Sequence, residues 1–177
     1  MASSSQYTKQ MELIKKASEL SLQNQSNHLK NTLNSLLSSY QTQQNALNAQ
    51  LETDTNQNEV ERYKAQRALR ETLANRGAMD SGAGRQEALN QANAYSNRYQ
   101  TIKNAYNTNL NDLRNNANSS IAEMDNTYSQ SIGDANSNIL SKLSEFVGSG
   151  YKNTKDWTVK DDNWSSYLAD LKKQYGL

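Results

Sequence analysis

Apolar residues in the second half of the chain recur at intervals of four, four and three residues, from Ala88 to Phe146. An eleven-residue repeat corresponds to about 3.67 residues per turn, slightly above the ~3.6 of an undistorted α-helix. The apolar stripe therefore stays on one side of a long helix, whereas a strand would alternate with a period of two. One row of the repeat consists of Ile102, Leu113, Met124, Ala135 and Phe146.

The first half carries the same repeat less regularly, because polar residues thin the stripe between residues 41 and 66. Leu13, Leu20 and Leu37 lie beside the frame, and we expect them to widen the stripe near its start. A stripe this narrow buries one seam between helices rather than a thick core. Its apolar members are Tyr7, Met11, Ile14, Leu22, Leu29, Leu33, Leu36, Tyr40, Leu47, Leu51, Leu69 and Leu73.

A glycine-rich segment separates the two repeats. Gly77 suits a left-handed cap just past a helix end, because it has no Cβ to clash there. Asp80 or Ser81 can accept hydrogen bonds from the free amides of the next helix. With Gly82 and Gly84, the segment would cost a continuous helix roughly 1 kcal/mol for each glycine. It therefore predicts a tight turn over residues 76–82, and a bent continuous helix is the less favoured alternative.

These patterns predict an all-α fold, in which residues 1–147 form a long antiparallel helical hairpin, a hendecad coiled coil. Its helices are expected at 4–75 and 83–147. Because the arms have similar lengths, folding back about residue 80 would place Leu69 and Leu73 opposite residues 88–92. A second glycine pair, Gly148 and Gly150, predicts the start of a separate segment over residues 148–177.

This last segment contains both tryptophans and ends in a short helix predicted over 163–175, which Asp162 or Asn163 could cap. Residues 151–161 fit an irregular loop or a small hairpin. The aromatic tail could fold onto the open end of the long hairpin, or it could dock on a partner, for which aromatic anchors are well suited. Under the second interpretation the partner-docking residues are Trp157, Trp164, Tyr167, Leu168, Leu171 and Tyr175.

Composition favours an assembly of helices. Hydrophobic residues make up 34% of the chain, and the flanks of the stripe are rich in Asn, Gln, Ser and Thr rather than in Glu and Lys. Such neutral polar faces repel one another little, which favours helices packed side by side with other copies of the same chain. Disorder is the alternative for a polar sequence, but the unbroken stripe and the absence of proline favour helices.

The charge pattern and the residue inventory argue against several classes of function. The net charge of +1 gives no footprint for nucleic acid. The most positive region, Arg62–Arg85, has interleaved glutamates, so a salt-bridged face is favoured there over a weak nucleic-acid contact. No apolar run reaches the ~18 residues of a transmembrane helix.

Cysteine is absent, and His28 has no carboxylate three or four residues away. Asp161 and Asp162 fit a loop and a helix cap better than half of a metal site. We therefore expect neither an enzyme nor a metal or cofactor site.

The turn region resembles a stretch of some bacteriophage virion proteins. Residues Arg67 to Gly82 follow the pattern R-x-L-x-x-x-x-A-x-x-G-x-x-x-S-G, which lies between two long Gln/Asn/Ala-rich helices in internal-virion (ejection-type) and head–tail-associated proteins. The resemblance implies a structural component of the virion that is made in the host cytoplasm and has no active site of its own. Its partners would be other copies of itself and portal or tail proteins.

In that setting helical rods would pack around the portal–tail axis or inside the particle, with a part in genome ejection. The alternative is a secreted or surface-associated bacterial helical-hairpin protein that binds a partner, although the chain lacks the Trp-x-Gly turn typical of type VII-secreted proteins.

Overall fold

A computed structural model describes residues 4–161 and 163–177, and these form three α-helices and no strand. Helix α1 spans Ser4–Asn75, α2 spans Gly82–Gly148 and α3 spans Trp164–Tyr175. The two long helices pack against each other as a hairpin, which confirms the predicted all-α hairpin. Residues 151–161 are irregular, so the small hairpin considered for them does not form.

The buried side of each long helix is the side that the eleven-residue frame predicts. In α1 no residue on the frame is exposed, and this includes polar members such as Ser18 and Asn58. In α2 every residue on the frame from Ile102 to Phe146 is buried or half-buried, whereas Ala88 is exposed. One helical period thus describes the seam residues of both helices.

Two of the three leucines expected to widen the seam lie outside it. Leu13 and Leu20 are 68% and 58% exposed, whereas Leu37 is fully buried. Leu37 is buried because it belongs to the cluster in which Trp164 and Leu168 of α3 pack against the long helices. A third surface is therefore needed to cover residues beside the frame.

The chain forms two compact units, one made of Met1–Ser39 with Asn116–Leu177 and the other of Tyr40–Asn115. We call them the base unit and the turn unit. Of the buried hydrophobic residues, only Tyr40 and Leu73 belong to the turn unit among the residues that the structure describes. The base unit combines the tail with the first part of α1 and the last part of α2, and the predicted domains 1–147 and 148–177 stay a prediction.

A glycine in the left-handed conformation ends α1. Gly77 has a φ of 66°. Its N–H donates to the carbonyl of Ala74 at 3.0 Å, and the N–H of Ala78 donates to the carbonyl of Leu73 at 2.9 Å. This pair of bonds is a Schellman motif, which satisfies carbonyls that the end of a helix would otherwise leave free.

Ser81 begins α2 as its N-cap, since its Oγ accepts the N–H of Gly84 at 3.0 Å. Asp80, the other candidate, contributes only its backbone carbonyl, which accepts from the Arg85 guanidinium at 2.9 Å. The side-chain oxygen of Ser81 satisfies an amide of the first helical turn, which is the usual role of an N-cap.

Gly84 allows the ends of the two long helices to approach closely. A Cβ at this position would overlap the carbonyl oxygen of Ala78 and would lie 3.3 Å from Cδ2 of Leu73. A Cβ at Gly82, two residues earlier, would meet no atom within 4 Å. Leu73 therefore lies beside Gly84, closer to the turn than the residues 88–92 that were expected to face it.

The register of the seam differs from a symmetric fold about residue 80. In the turn unit the Asn58 side chain donates to the carbonyl of Tyr95 at 3.3 Å, whereas symmetry would pair residue 58 with residue 102. In the base unit the rings of Tyr7 and Phe146 lie 5.0 Å apart, whereas symmetry would pair residue 7 with residue 153. Each offset is about two helical turns. The register therefore follows from the side chains that pack between α1 and α2. Equal arm lengths alone do not determine it.

We expect Gly84→Ala to lower the free energy of unfolding by about 1–3 kcal/mol, because the added methyl group must displace the carbonyl of Ala78. Gly82→Ala is the matched control and should be neutral, or stabilising by up to about 1 kcal/mol, since the space around it is open. Urea unfolding followed by circular dichroism measures both. Equal effects of the two substitutions would contradict the close approach at Gly84.

Candidate functional site

The C-terminal segment, residues 151–177, runs back along the base unit. Val159 contacts Asn136 of α2, and the next anchor, Trp164, contacts Asp125 further toward the start of α2. The segment therefore runs antiparallel to α2. We call the surface of α1 and α2 that it covers the docking groove.

Aromatic rings hold the first residue of the segment. Gly150 is left-handed with a φ of 97°, and the N–H of Tyr151 donates to the carbonyl of Phe146 at 3.0 Å. The buried Tyr151 ring lies 5.9 Å from the ring of Tyr7, which also contacts Phe146. This contact fixes the point at which the segment leaves α2.

The next five residues, Lys152–Asp156, are all exposed. Their ion pair with the long helices joins Lys155 Nζ to a carboxylate oxygen of Glu12 at 3.3 Å, and both side chains are about half exposed. Such surface pairs contribute about 0–1 kcal/mol. We call these five residues the spacer.

A side-chain clamp binds the backbone just after the spacer. The Asn136 Oδ1 accepts the N–H of Val159 at 2.8 Å, and its Nδ2 donates to the carbonyl of the same residue at 3.1 Å. Trp157 and Val159 are both buried. Their apolar cluster also includes Met11, Leu22 and Ile139. Asn136 therefore satisfies both polar backbone groups of Val159, whose side chain packs with that of Trp157 in the apolar cluster.

Asp161, which precedes the two residues predicted for this role, caps α3 through its carboxylate. Its carboxylate accepts the N–H of Trp164 at 2.8 Å and both the N–H and the hydroxyl of Ser165. Asn163 makes no capping bond through its side chain, and Asp162 lies outside the described residues. Burial tends to raise the pKa of Asp161, but the hydrogen bonds from Ser165 and Trp164 outweigh it, and the pKa is lowered.

Trp164 is the deepest anchor of the segment, at 1% exposure. Its indole N–H donates to the Asp125 carboxylate at 3.0 Å, and its ring lies 5.2 Å from the ring of Tyr128. The indole thus combines apolar burial with a satisfied polar group, as buried tryptophans require. The buried residues of this cluster are Leu29, Leu33, Leu37, Ile121, Tyr128, Trp164 and Leu168.

The remaining predicted docking residues lie at the edge of the same cluster. The Tyr167 hydroxyl bonds to Asn34 at 3.0 Å. Leu171 and Tyr175 are half-buried against the cluster. All six predicted partner-docking side chains are therefore packed at least in part within the chain itself, with Trp157, Trp164 and Leu168 fully buried. The tail packs onto the hairpin, and docking of these residues on a partner stays a prediction.

Part of the positive region near the turn is paired with glutamates. Arg62 contacts Glu59 at 2.6 Å and Arg67 contacts Glu71 at 3.0 Å, each within one turn of α1. The Glu61 carboxylate accepts hydrogen bonds from Gln57 and Arg98, and these lower its pKa. These contacts support the salt-bridged face that the sequence favoured there.

Neither a metal-binding cluster nor a membrane-spanning helix is found in the part of the chain that the structure describes. Over residues 4–161 and 163–177, no three acidic or histidine side chains come together to hold a metal ion. Within the same ranges, none of the helices has the length and apolarity that crossing a bilayer requires. No protein-family model, curated protein or solved structure matches this chain.

We expect Asn136→Ala to loosen the C-terminal segment, since it leaves two backbone groups of Val159 without partners at a cost of about 1–3 kcal/mol. Trypsin cleavage after the exposed Lys160 should become faster. Asn138→Ala is the matched control, because Asn138 is exposed on the same helix two residues away. Equal cleavage rates for the two variants would show that the clamp does not hold the segment.

The lowered pKa of Asp161 predicts a loss of stability in acid. A carboxyl group whose folded pKa lies below its unfolded value stabilises the fold fully above the ordinary aspartate pKa of about 3.9. This stabilisation is lost as the pH falls through the lower folded value. Asp161→Asn should reduce the acid sensitivity of α3, measured as tryptophan fluorescence between pH 6 and pH 2. An unchanged pH profile would show that Asp161 contributes nothing to it.

Proposed function

We propose that the protein is a structural component of a bacteriophage virion in which many copies pack side by side as helical hairpins. The observation that carries this proposal is the set of large apolar side chains left outside the seam. In the described part of the chain the exposed ones are Leu13, Leu20, Val60, Tyr63, Met79, Leu89, Tyr99, Leu140 and Val147.

Four of these residues form two stripes on the base unit. Leu13 and Leu20 lie seven residues apart on α1, and Leu140 and Val147 lie seven residues apart on α2. Seven residues are two turns of a helix, so each pair shares one side of its helix, with the spacing of coiled-coil contacts. Single exposed leucines are ordinary, but two paired stripes suit contact with neighbouring helices.

The turn unit supports the same conclusion for a different reason. Tyr40 and Leu73 are its only fully buried hydrophobic residues among those described, whereas Asn58 occupies its seam with no exposed surface. A pair of helices that buries so little apolar area is marginal alone. Contacts with neighbouring copies would stabilise it, and interleaved charges with a net charge of +1 oppose such contacts little.

The virion setting rests on the resemblance of residues 67–82 to phage virion proteins. In this proposal the copies pack around the portal–tail axis or inside the particle, against portal or tail proteins, and they participate in genome ejection. The function is mechanical, and the chain contributes helical surfaces rather than a reaction.

Mass spectrometry of purified virions tests the setting directly. We expect tryptic peptides of this protein at a fixed ratio to those of the portal protein, retained through density-gradient purification. Their absence from particles, together with the protein in the culture medium or at the bacterial surface, would overturn the virion proposal in favour of a secreted hairpin that binds a partner.

The assembly itself is tested in solution. We expect the double variant Leu13→Glu/Leu20→Glu to shift the protein toward monomer in analytical ultracentrifugation, since each buried leucine contributes about 1.5–3 kcal/mol. The control Ser21→Glu/Thr32→Glu adds the same charge at exposed polar positions about 100° around α1 from the two leucines, and it should leave the association intact. A wild-type chain that stays a fully helical monomer at all concentrations would contradict assembly.

A further inference from the structure

The C-terminal segment is held in its groove as a bound peptide is held. Trp157 and Val159 place their side chains in an apolar cluster, and Asn136 binds the backbone N–H and carbonyl of Val159. Backbone hydrogen bonds combined with side-chain pockets are the means by which proteins recognise extended peptides. Covalent continuity with α2 contributes nothing to these contacts.

The connection to α2 is exposed and makes few contacts. The spacer Lys152–Asp156 has five residues and can reach at most about 17 Å when extended. Its ion pair with the hairpin, between Lys155 and Glu12, lies at the surface. The spacer therefore does not specify which copy of the hairpin receives the residues that follow it.

We propose that the part of the C-terminal segment that follows the spacer, from Trp157 onward, exchanges between copies, so that this part of one chain occupies the docking groove of a second chain. This inference rests on the assembly proposed above and names the contact that joins its members. Exchange of an identical element reproduces every contact seen within one chain, which makes it a low-cost route to oligomers. The protein concentration then determines whether the segment docks within its own chain or on another copy, because the spacer sets the effective concentration of the segment at its own groove.

A second copy is the occupant that fits the groove, because the polar partners in the groove match particular atoms of this segment. Asp125 accepts the indole N–H of Trp164, and Asn34 bonds to the hydroxyl of Tyr167. Asn136 would lose both of its hydrogen bonds if the backbone beside it were displaced. A peptide without these groups at these spacings would leave the part-buried side chains of Asp125 and Asn136 without partners, which is unfavourable.

The absence of cysteine from the chain makes the test direct. Two full-length variants, Glu12→Cys and Lys155→Cys, are unfolded together, refolded as a mixture and treated with a short bismaleimide. Neither chain carries both thiols, so a link between positions 12 and 155 joins two copies, and docking of the segment on another copy would make this link much more frequent than links at distant positions. We expect a crosslinked dimer whose yield rises with protein concentration.

Two controls define the result. The double variant Glu12→Cys/Lys155→Cys should give the link within one chain at high dilution, which shows that the crosslinker spans the pair. Asn24→Cys replaces Glu12→Cys in a second mixture, because residue 24 is exposed and lies about 18 Å further along α1. We expect at least fivefold less crosslinked dimer from that mixture.

Equal yields from the two mixtures would overturn the exchange, because the links would then come from random collisions. An oligomer in which the 12–155 link forms only within chains would also overturn the exchange while leaving the proposed assembly standing. A chain that stays monomeric at every concentration would overturn both.

Discussion

Burial along one narrow seam is the constraint on which the rest of this structure depends. The eleven-residue frame places about one residue per helical turn against the opposite helix, which keeps two long helices in contact without marked supercoiling. The same frame leaves most of each helix surface uncovered. Because stability in small folds comes chiefly from buried apolar area, a seam of this kind needs further surfaces beside it.

The base unit obtains such a surface from its own chain. Trp164 fills a space bounded by α1 and α2 that two helices alone leave open, and it brings Leu37, which lies beside the frame, into the core. The segment's own polar groups find partners on α2, since Asp125 pairs with the indole of Trp164 and Asn136 with the backbone of Val159. The turn unit has no equivalent third element in the described chain, and its seam contains Asn58 where the base unit has leucines.

Features that depend on local geometry could be predicted from the sequence. The long helices follow from the period of the stripe, and the end of α1 at Gly77 follows from the left-handed conformation that glycine allows. Features that depend on which surfaces meet could not be predicted. The register offset at Asn58 and Tyr95 reflects interlocking side chains, and the exposure of Leu13 depends on where the C-terminal segment lies. The residue that caps α3 was not predicted, because Asp161 lies three residues before Trp164, the first residue of α3, and the left-handed Asn163 lies between them.

The segment that completes the base unit also shows how one chain can serve both folding and assembly. A seam too narrow to be covered by its own two helices accepts a third element, and the physical requirements for that element are an apolar anchor, a backbone clamp and matched polar groups. These requirements can be met by the segment of the same chain or by the same segment of another copy. Under the proposed exchange, the surface that stabilises the hairpin would also bind the same segment of a neighbouring copy. The exposed spacer leaves that possibility open, because it is joined to the hairpin mainly by a surface ion pair of little energy.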